Sequence, residues 1–147
     1  MESFPTEIDL VNVANLLPHG VICLISALFS HELTTQIPHK IWFAVERKAR
    51  KPKESDPPIR SVFFTGPCFH EGIEIHRIME QNVQIYNAPK TVIDCFHWRN
   101  EVGLNVALEA TRTYLKHRGA SPAILMDYAK LCKVERLAMP YLETMVS

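Results

Sequence analysis

The sequence predicts an α+β fold, with about four mostly antiparallel strands, N-terminal helices and a C-terminal helical group. Three observations carry that prediction. Apolar runs with strand character gather between residues 41 and 87 instead of alternating with helices, the pattern of a sheet with its helices segregated from it. From Lys90 onward the apolar spacing turns helical and stays so. The chain has 147 residues, 47% hydrophobic and 22% charged, enough for one core and ordinary for one globular domain. Residues 1–147 are therefore read as a single domain, with 1–17 as a leading helix or linker and 18–147 as its body.

Each element follows from local pattern. TEIDLVNVANLL (6–17) begins with Thr6 and carries Asp9 three positions on, a capping box ahead of the stripe Ile8, Val11, Ala14 and Leu17. VICLISALFSHEL (21–33) recurs at helical spacing and is apolar at nearly every other position as well, so it reads as a helix buried on most sides. IWFAV (41–45) is a short, wholly apolar run and reads as an interior strand. SVFFTG (61–66) is the next strand, and the charged, proline-rich segment between the two implies no tight connection. IEIHRI (73–78) sets Ile73 and Ile75 against Glu74 and His76, and VQIYN (83–87) alternates after a polar turn, a hairpin with one wet face. Leu104, Ala107, Leu108, Thr111 and Leu115 mark a helix that stops near Gly119. Ser121-Pro122 opens the next helix, striped by Leu125, Tyr128 and Cys132, and Pro140 should break or kink the last one.

Sixteen basic and sixteen acidic residues cancel, so the total charge implies no polyanionic partner. Their distribution is uneven. From residue 39 to residue 60 there are seven cations, Lys40, Arg47, Lys48, Arg50, Lys51, Lys53 and Arg60, against three acids, Glu46, Glu54 and Asp56. Five of the cations fall in RKARKPK (47–53), a composition suited to phosphate contacts, although no aromatic residue is interleaved for stacking on bases. The cysteines at 23, 68, 95 and 132 lack paired spacing and read as buried thiols. With no basic signal segment and no apolar run near the ~20 residues needed to span a bilayer, the reading is a cytoplasmic protein with no membrane association.

Equipment for catalysis is sparse. Glu46-x-Lys48 at a strand end could form half of a metal-dependent nuclease site, but the sequence offers no second carboxylate on a neighbouring strand. Seven histidines are scattered without metal-binding spacing, and neither a Gly-x-Ser-x-Gly elbow nor a phosphate-binding Gly-x4-Gly-Lys is present. The expectation is a non-enzyme with no catalytic residue, no cofactor and no metal.

One stretch stands out, YNAPKTVIDCFHWRN (86–100). A helix starting at Pro89 would have alanine before it, a poor N-cap, and a lysine in its first turn opposing the helix dipole. Lys90 and Asp94 share a face at i, i+4, with His97 and Glu101 continuing it. Two accounts offset the poor start. In the first, this pair and an acid from the sheet satisfy the helix end. In the second, Lys90 and the free backbone N–H groups hold an anion such as a phosphate.

GVICLISAL (20–28), LTTQIPHKIWFAV (33–45), the RKARKPK loop, GIEIH (72–76), VQIYNAPKTVIDCFHWRN (83–100), GLNVALEA (103–110) and CKVERLAMPYLE (132–143) together resemble the AbiEi family, the abortive-infection antitoxins of type IV toxin–antitoxin systems. The likeness runs from about residue 17 to the end. Its most specific part is Tyr-x-x-Pro-Lys-Thr-x-x-Asp, carried here by Tyr86, Pro89, Lys90, Thr91 and Asp94 and followed by Arg99 and Asn100. The resemblance implies an antitoxin in phage defence that counteracts a nucleotidyltransferase toxin without needing a stable complex. Members commonly add a winged helix that binds DNA and represses their own operon. About 16 residues precede the matching region here, fewer than a winged helix needs, so the expectation is the antitoxicity domain alone.

Two readings result. In one, the chain is a non-enzymatic antitoxin whose basic loop and Lys90 region face toxin, RNA or a bound nucleotide. In the other, it is a stand-alone regulator that binds DNA or RNA through residues 47–60.

Overall fold

The computed structural model describes residues 6–46 and 58–146. It is α+β, as predicted, but its sheet differs from the prediction in number and direction. In chain order the elements are α1 (Glu7–Leu16), β1 (Val21–Ile22), α2 (Leu24–Ser30), β2 (Ile41–Glu46), β3 (Ile59–Phe64), α3 (Pro67–His70), β4 (Ile73–Ile78) and β5 (Gln81–Tyr86). The helical group follows: α4 (Ala88–His97), α5 (Arg99–Val102), α6 (Leu104–Lys116), α7 (Pro122–Leu131) and α8 (Glu135–Val146).

Five strands form one mixed sheet in the order β3-β2-β1-β5-β4. β2 with β3 and β1 with β5 are parallel, whereas β1 with β2 and β4 with β5 are antiparallel. The sheet is therefore not mostly antiparallel. Parallel neighbours cannot be joined by a tight turn, which agrees with the long segment separating β2 from β3. The fifth strand is Val21–Ile22, where the periodicity suggests the first turn of a helix. It sits mid-sheet, Val21 opposite Ala44 and Ile22 opposite both Phe43 and Ile85. Covered on both faces, it lacks alternation and reads like a buried helix. Gly20 before it has no freedom to be larger, because a Cβ there would collide with the Phe43 ring.

Strand alternation divides the core. Trp42, Ala44, Val62, Phe64 and Tyr86 point to the larger cluster, built with the helices after β5, while Ile41, Phe43, Val45, Val83 and Ile85 point to a smaller one with Val11 and Val13 of α1. The predicted capping box of α1 is present: Asp9 N–H donates to Thr6 Oγ1, and Thr6 N–H donates to the Asp9 carboxylate at 2.7 Å. Its predicted stripe is displaced, with Ile8 left 55% exposed, because α1 leans mainly on β5. In the helical group, α6 buries Ala107, Ala110 and Thr111 fully, Tyr114 almost so, and its leucines only partly. Small residues on that face let α4 and α6 approach closely.

Pro140 does not end the last helix, which continues from Glu135 to Val146. The carbonyl that loses its donor is that of Arg136, and Arg136 and Pro140 are both exposed, so water can take the place of the missing N–H. Ala138 and Leu142 anchor the other side.

The expected β4–β5 hairpin forms, but β5 begins at Gln81, two residues before the predicted strand, and Ile78 stands opposite Gln81. As the edge strand, β4 leaves Ile75 59% exposed, so the face expected to be dry is open there. Its two-residue turn holds Met79 at φ 51° and Glu80 at φ 65°. Both are left-handed, the geometry of a type I′ turn that favours Asn-Gly. The double change Met79→Asn with Glu80→Gly should therefore raise stability by roughly 1–2 kcal/mol in urea unfolding. Unchanged or lowered stability would show that the turn carries no strain.

Candidate functional site

Of residues 86–100, Tyr86, Val92, Ile93, Cys95 and Phe96 belong to the larger core cluster. Asn87, not alanine, is the N-cap of α4: its side-chain oxygen accepts from Lys90 N–H at 2.8 Å, and Pro89 occupies the first turn. The helix therefore starts with a favoured cap one residue earlier than periodicity indicates. Asn87 also donates through Nδ2 to the Tyr128 hydroxyl at 2.9 Å, tying the start of α4 to α7.

Lys90 is wholly buried. Its Nζ lies 2.9 and 2.7 Å from the two oxygens of Asp94, which is 1% exposed. The same nitrogen sits 3.9 Å from the centroid of the Tyr86 ring and 4.8 Å from that of Phe64. A carboxylate and two aromatic faces thus replace the water an ammonium would otherwise keep. No sheet acid takes part in these contacts, so the first account holds only for the pair with Asp94, and the place beside Lys90 that the second account gives to an anion is filled by the protein's own groups. Lys90 cannot face a toxin, RNA or nucleotide while it is buried.

The rest of the motif supports this pair. Tyr86 donates its hydroxyl proton to the Phe69 carbonyl at 2.6 Å, and burial, reinforced by the Asp94 charge, raises its pKa so that it stays a donor. Thr91 Oγ1 donates to the Asn87 carbonyl at 2.8 Å. Gly72, at φ 85°, closes over the lysine stem: a Cβ there would lie 2.7 Å from Lys90 Cγ. Arg99 donates to the Phe96 carbonyl at 3.2 Å, and Asn100 is exposed. Cys23 and Cys95 are buried free thiols whose pKa values burial raises first and Asp94 further.

Cys68 and Cys132 are bonded to each other, which corrects the expectation of four separate thiols. They lie 64 positions apart, one on the α3 turn and one at the end of α7, and only the fold brings them together. The Cys68 sulfur is 3.8 Å from Asp94 Oδ1. Outside this bond opens a cleft of about 320 Å³, lined by Phe63, Thr65, His97, Trp98 and both cysteines. Burial, then the cations Arg99 and Lys90, lowers the pKa of His97 on its rim.

The basic residues lie elsewhere. Lys40 and Arg60 are exposed and flank Trp42, with Lys40 Nζ 5.7 Å and the Arg60 guanidinium carbon 5.8 Å from its ring centroid. They stand at the opposite ends of the basic segment, with an aromatic between them that the loop sequence does not contain. Arg47, Lys48, Arg50, Lys51 and Lys53 lie outside the described residues. Glu46, half of the acid-x-lysine pattern, pairs with His70 at 3.1 Å on the surface. No protein-family model matches this sequence, and no curated protein does either.

Burial pushes the Asp94 pKa up from 3.8 to about 6, against the attraction of Lys90. The folded chain thus holds this proton more tightly than the unfolded chain does. The carboxyl's contribution to stability is fully present below about pH 3.8 and is lost as pH rises through about 6. Lys90→Met keeps the stem but removes the cation, and should cost about 3–5 kcal/mol near pH 8. The cost should be smaller near pH 5, where the carboxyl holds its proton. Chemical denaturation at both pH values checks this, and an equal or larger loss at acid pH would contradict it. Reduction of Cys68–Cys132 should cost on the order of 4 kcal/mol through chain entropy. Calorimetry with and without dithiothreitol should show that loss in the parent protein and none in Cys68→Ser.

Proposed function

We propose that the chain is the antitoxin of a type IV toxin–antitoxin pair, acting in the cytoplasm against a nucleotidyltransferase toxin and catalysing no reaction of its own. The observation that carries this reading is the place of the AbiEi-like motif in the fold. Tyr86, Lys90, Thr91 and Asp94 are buried together around one ion pair, and Gly72 of the GIEIH fragment packs on the lysine stem. Fragments matched separately along the chain thus meet in one unit, as expected if the resemblance reflects a shared scaffold.

A scaffold motif leaves action to the exterior. The proposed contact residues are Lys40 and Arg60 beside Trp42 and, from the sequence between them, Arg47, Lys48, Arg50, Lys51 and Lys53. Their chemistry suits a partner rich in phosphate or carboxylate, either the toxin with its nucleotide or an RNA.

The test is co-expression with a nucleotidyltransferase toxin from the same operon. The folded chain should restore growth, and the variant with the seven cations neutralised should restore less. A well-folded chain that gives no protection refutes the antitoxin reading. Salt-steep duplex binding abolished by the same neutralisation would favour the stand-alone regulator instead.

A further inference from the structure

We propose that His31, Glu74 and His76 form a binding site for a divalent cation with the ligand preferences of zinc. The inference is independent of the antitoxin reading. Glu74 and His76 are two apart on β4, so strand alternation projects them from the same face. His31 follows the last residue of α2 and comes to them across the fold. One ring nitrogen from each histidine and one Glu74 oxygen all lie within 4.8 Å of one another. The two imidazoles meet edge to face with centroids 5.7 Å apart.

Two contacts show how the ligands are held. His31 Nε2 lies 2.7 Å from the Tyr86 carbonyl oxygen. A carbonyl only accepts, so this nitrogen carries a proton and the neutral ring keeps its lone pair on Nδ1. Metal-binding histidines are commonly fixed in this way by a backbone carbonyl. His76 Nε2 lies 2.9 Å from Glu74 Oε1. Nitrogen and oxygen ligands on one ion, each at about 2.0–2.2 Å from it, are themselves roughly 3 Å apart, so the metal can replace the proton now shared there with little movement of either side chain.

Two imidazoles and one carboxylate suit zinc, cobalt or nickel and not calcium or magnesium, which take oxygen ligands. Glu74 is exposed and both histidines are half-buried, so an ion can enter and keep water in its remaining positions. Bound there, it would tie the end of α2 to the edge strand. The other three-ligand group among the described residues, Cys68, Asp94 and Cys132, has its sulfurs joined to each other.

The test uses the full chain without reductant, titrated with Zn²⁺ and with Co²⁺. One equivalent should bind, the Co²⁺ spectrum should show d–d bands without sulfur-to-cobalt charge transfer, and Mg²⁺ should not compete. Glu74→Gln and His76→Gln, each checked for folding by circular dichroism, should weaken binding at least ~10-fold, since loss even of an outer-shell partner costs 10–100-fold. In the parent protein Co²⁺ should broaden the NMR signals of the His31 and His76 rings, a readout that needs no variant. The proposal is overturned by absence of binding at ~1 mM metal, by a sulfur charge-transfer band, by broadening confined to other histidines, or by affinity unchanged in both variants.

Discussion

A lysine ammonium with no access to water constrains everything packed around it. Lys90 and Asp94 are 0% and 1% exposed, and removing two charges from water costs several kcal/mol per ion unless geometry and neighbours compensate. Compensation here comes from four directions. Asp94 chelates the ammonium with both oxygens, the Tyr86 and Phe64 rings present their negative faces, Asn87 occupies the backbone N–H, and Gly72 allows the sheet to close over the stem. These groups come from β3, the β3–β4 connection, β5 and α4. If the strands shifted register by one residue, Tyr86 and Phe64 would turn away and the charge would lose its setting. An apolar pair in the same space would tolerate such a slip. The ion pair thus makes the arrangement specific while adding little to its net stability.

This explains why the opening of α4 looks wrong when read locally. Lysine in a first turn opposes the helix dipole, and lysine before the acid is the weaker i, i+4 orientation. Both rules describe exposed helices. Lys90 answers instead to the sheet beneath it, and tertiary contacts override the surface preference. The violation of local rules was legible at 86–100, and so was the pairing with Asp94. The cap was not, because Pro89 draws attention to itself and Asn87 works one position earlier than the periodicity suggests.

Other misreadings have the same origin in interactions distant in sequence. The helical group, the capping box of α1, the interior position of β2 and the β4–β5 hairpin were legible, since each is written in local spacing. β1 was not: two residues buried on both faces carry no period of 2. Strand direction is likewise silent in local pattern, and β3 became parallel to β2 through a connection whose length allows either course. Cys68 and Cys132 show no motif spacing because helix packing, and not local sequence, brings them together. His31 is 43 positions from Glu74 in the numbering; only the i, i+2 pair of Glu74 and His76 left a trace, an acid and an imidazole on the same side of a strand.

Chemistry buried inside the motif and chemistry available outside it are therefore separate matters. Asp94 is held above the usual carboxylate range by burial, and in an open cleft such a shift would point to acid–base work. Here its oxygens are taken by Lys90 and the nearest sulfur is already bonded, so the shift reflects burial of a structural group, with Lys90 opposing it. Groups still able to meet a partner are on the surface, at opposite ends of the described sheet. On the β2–β3 side Lys40 and Arg60 flank a nearly buried Trp42, and on the β4 side Glu74 and His76 face His31. The sheet order separates these two edges by three intervening strands. The cations beside Trp42 and the imidazole–carboxylate cluster are therefore separate features of the surface, and neither contains a residue of the buried pair.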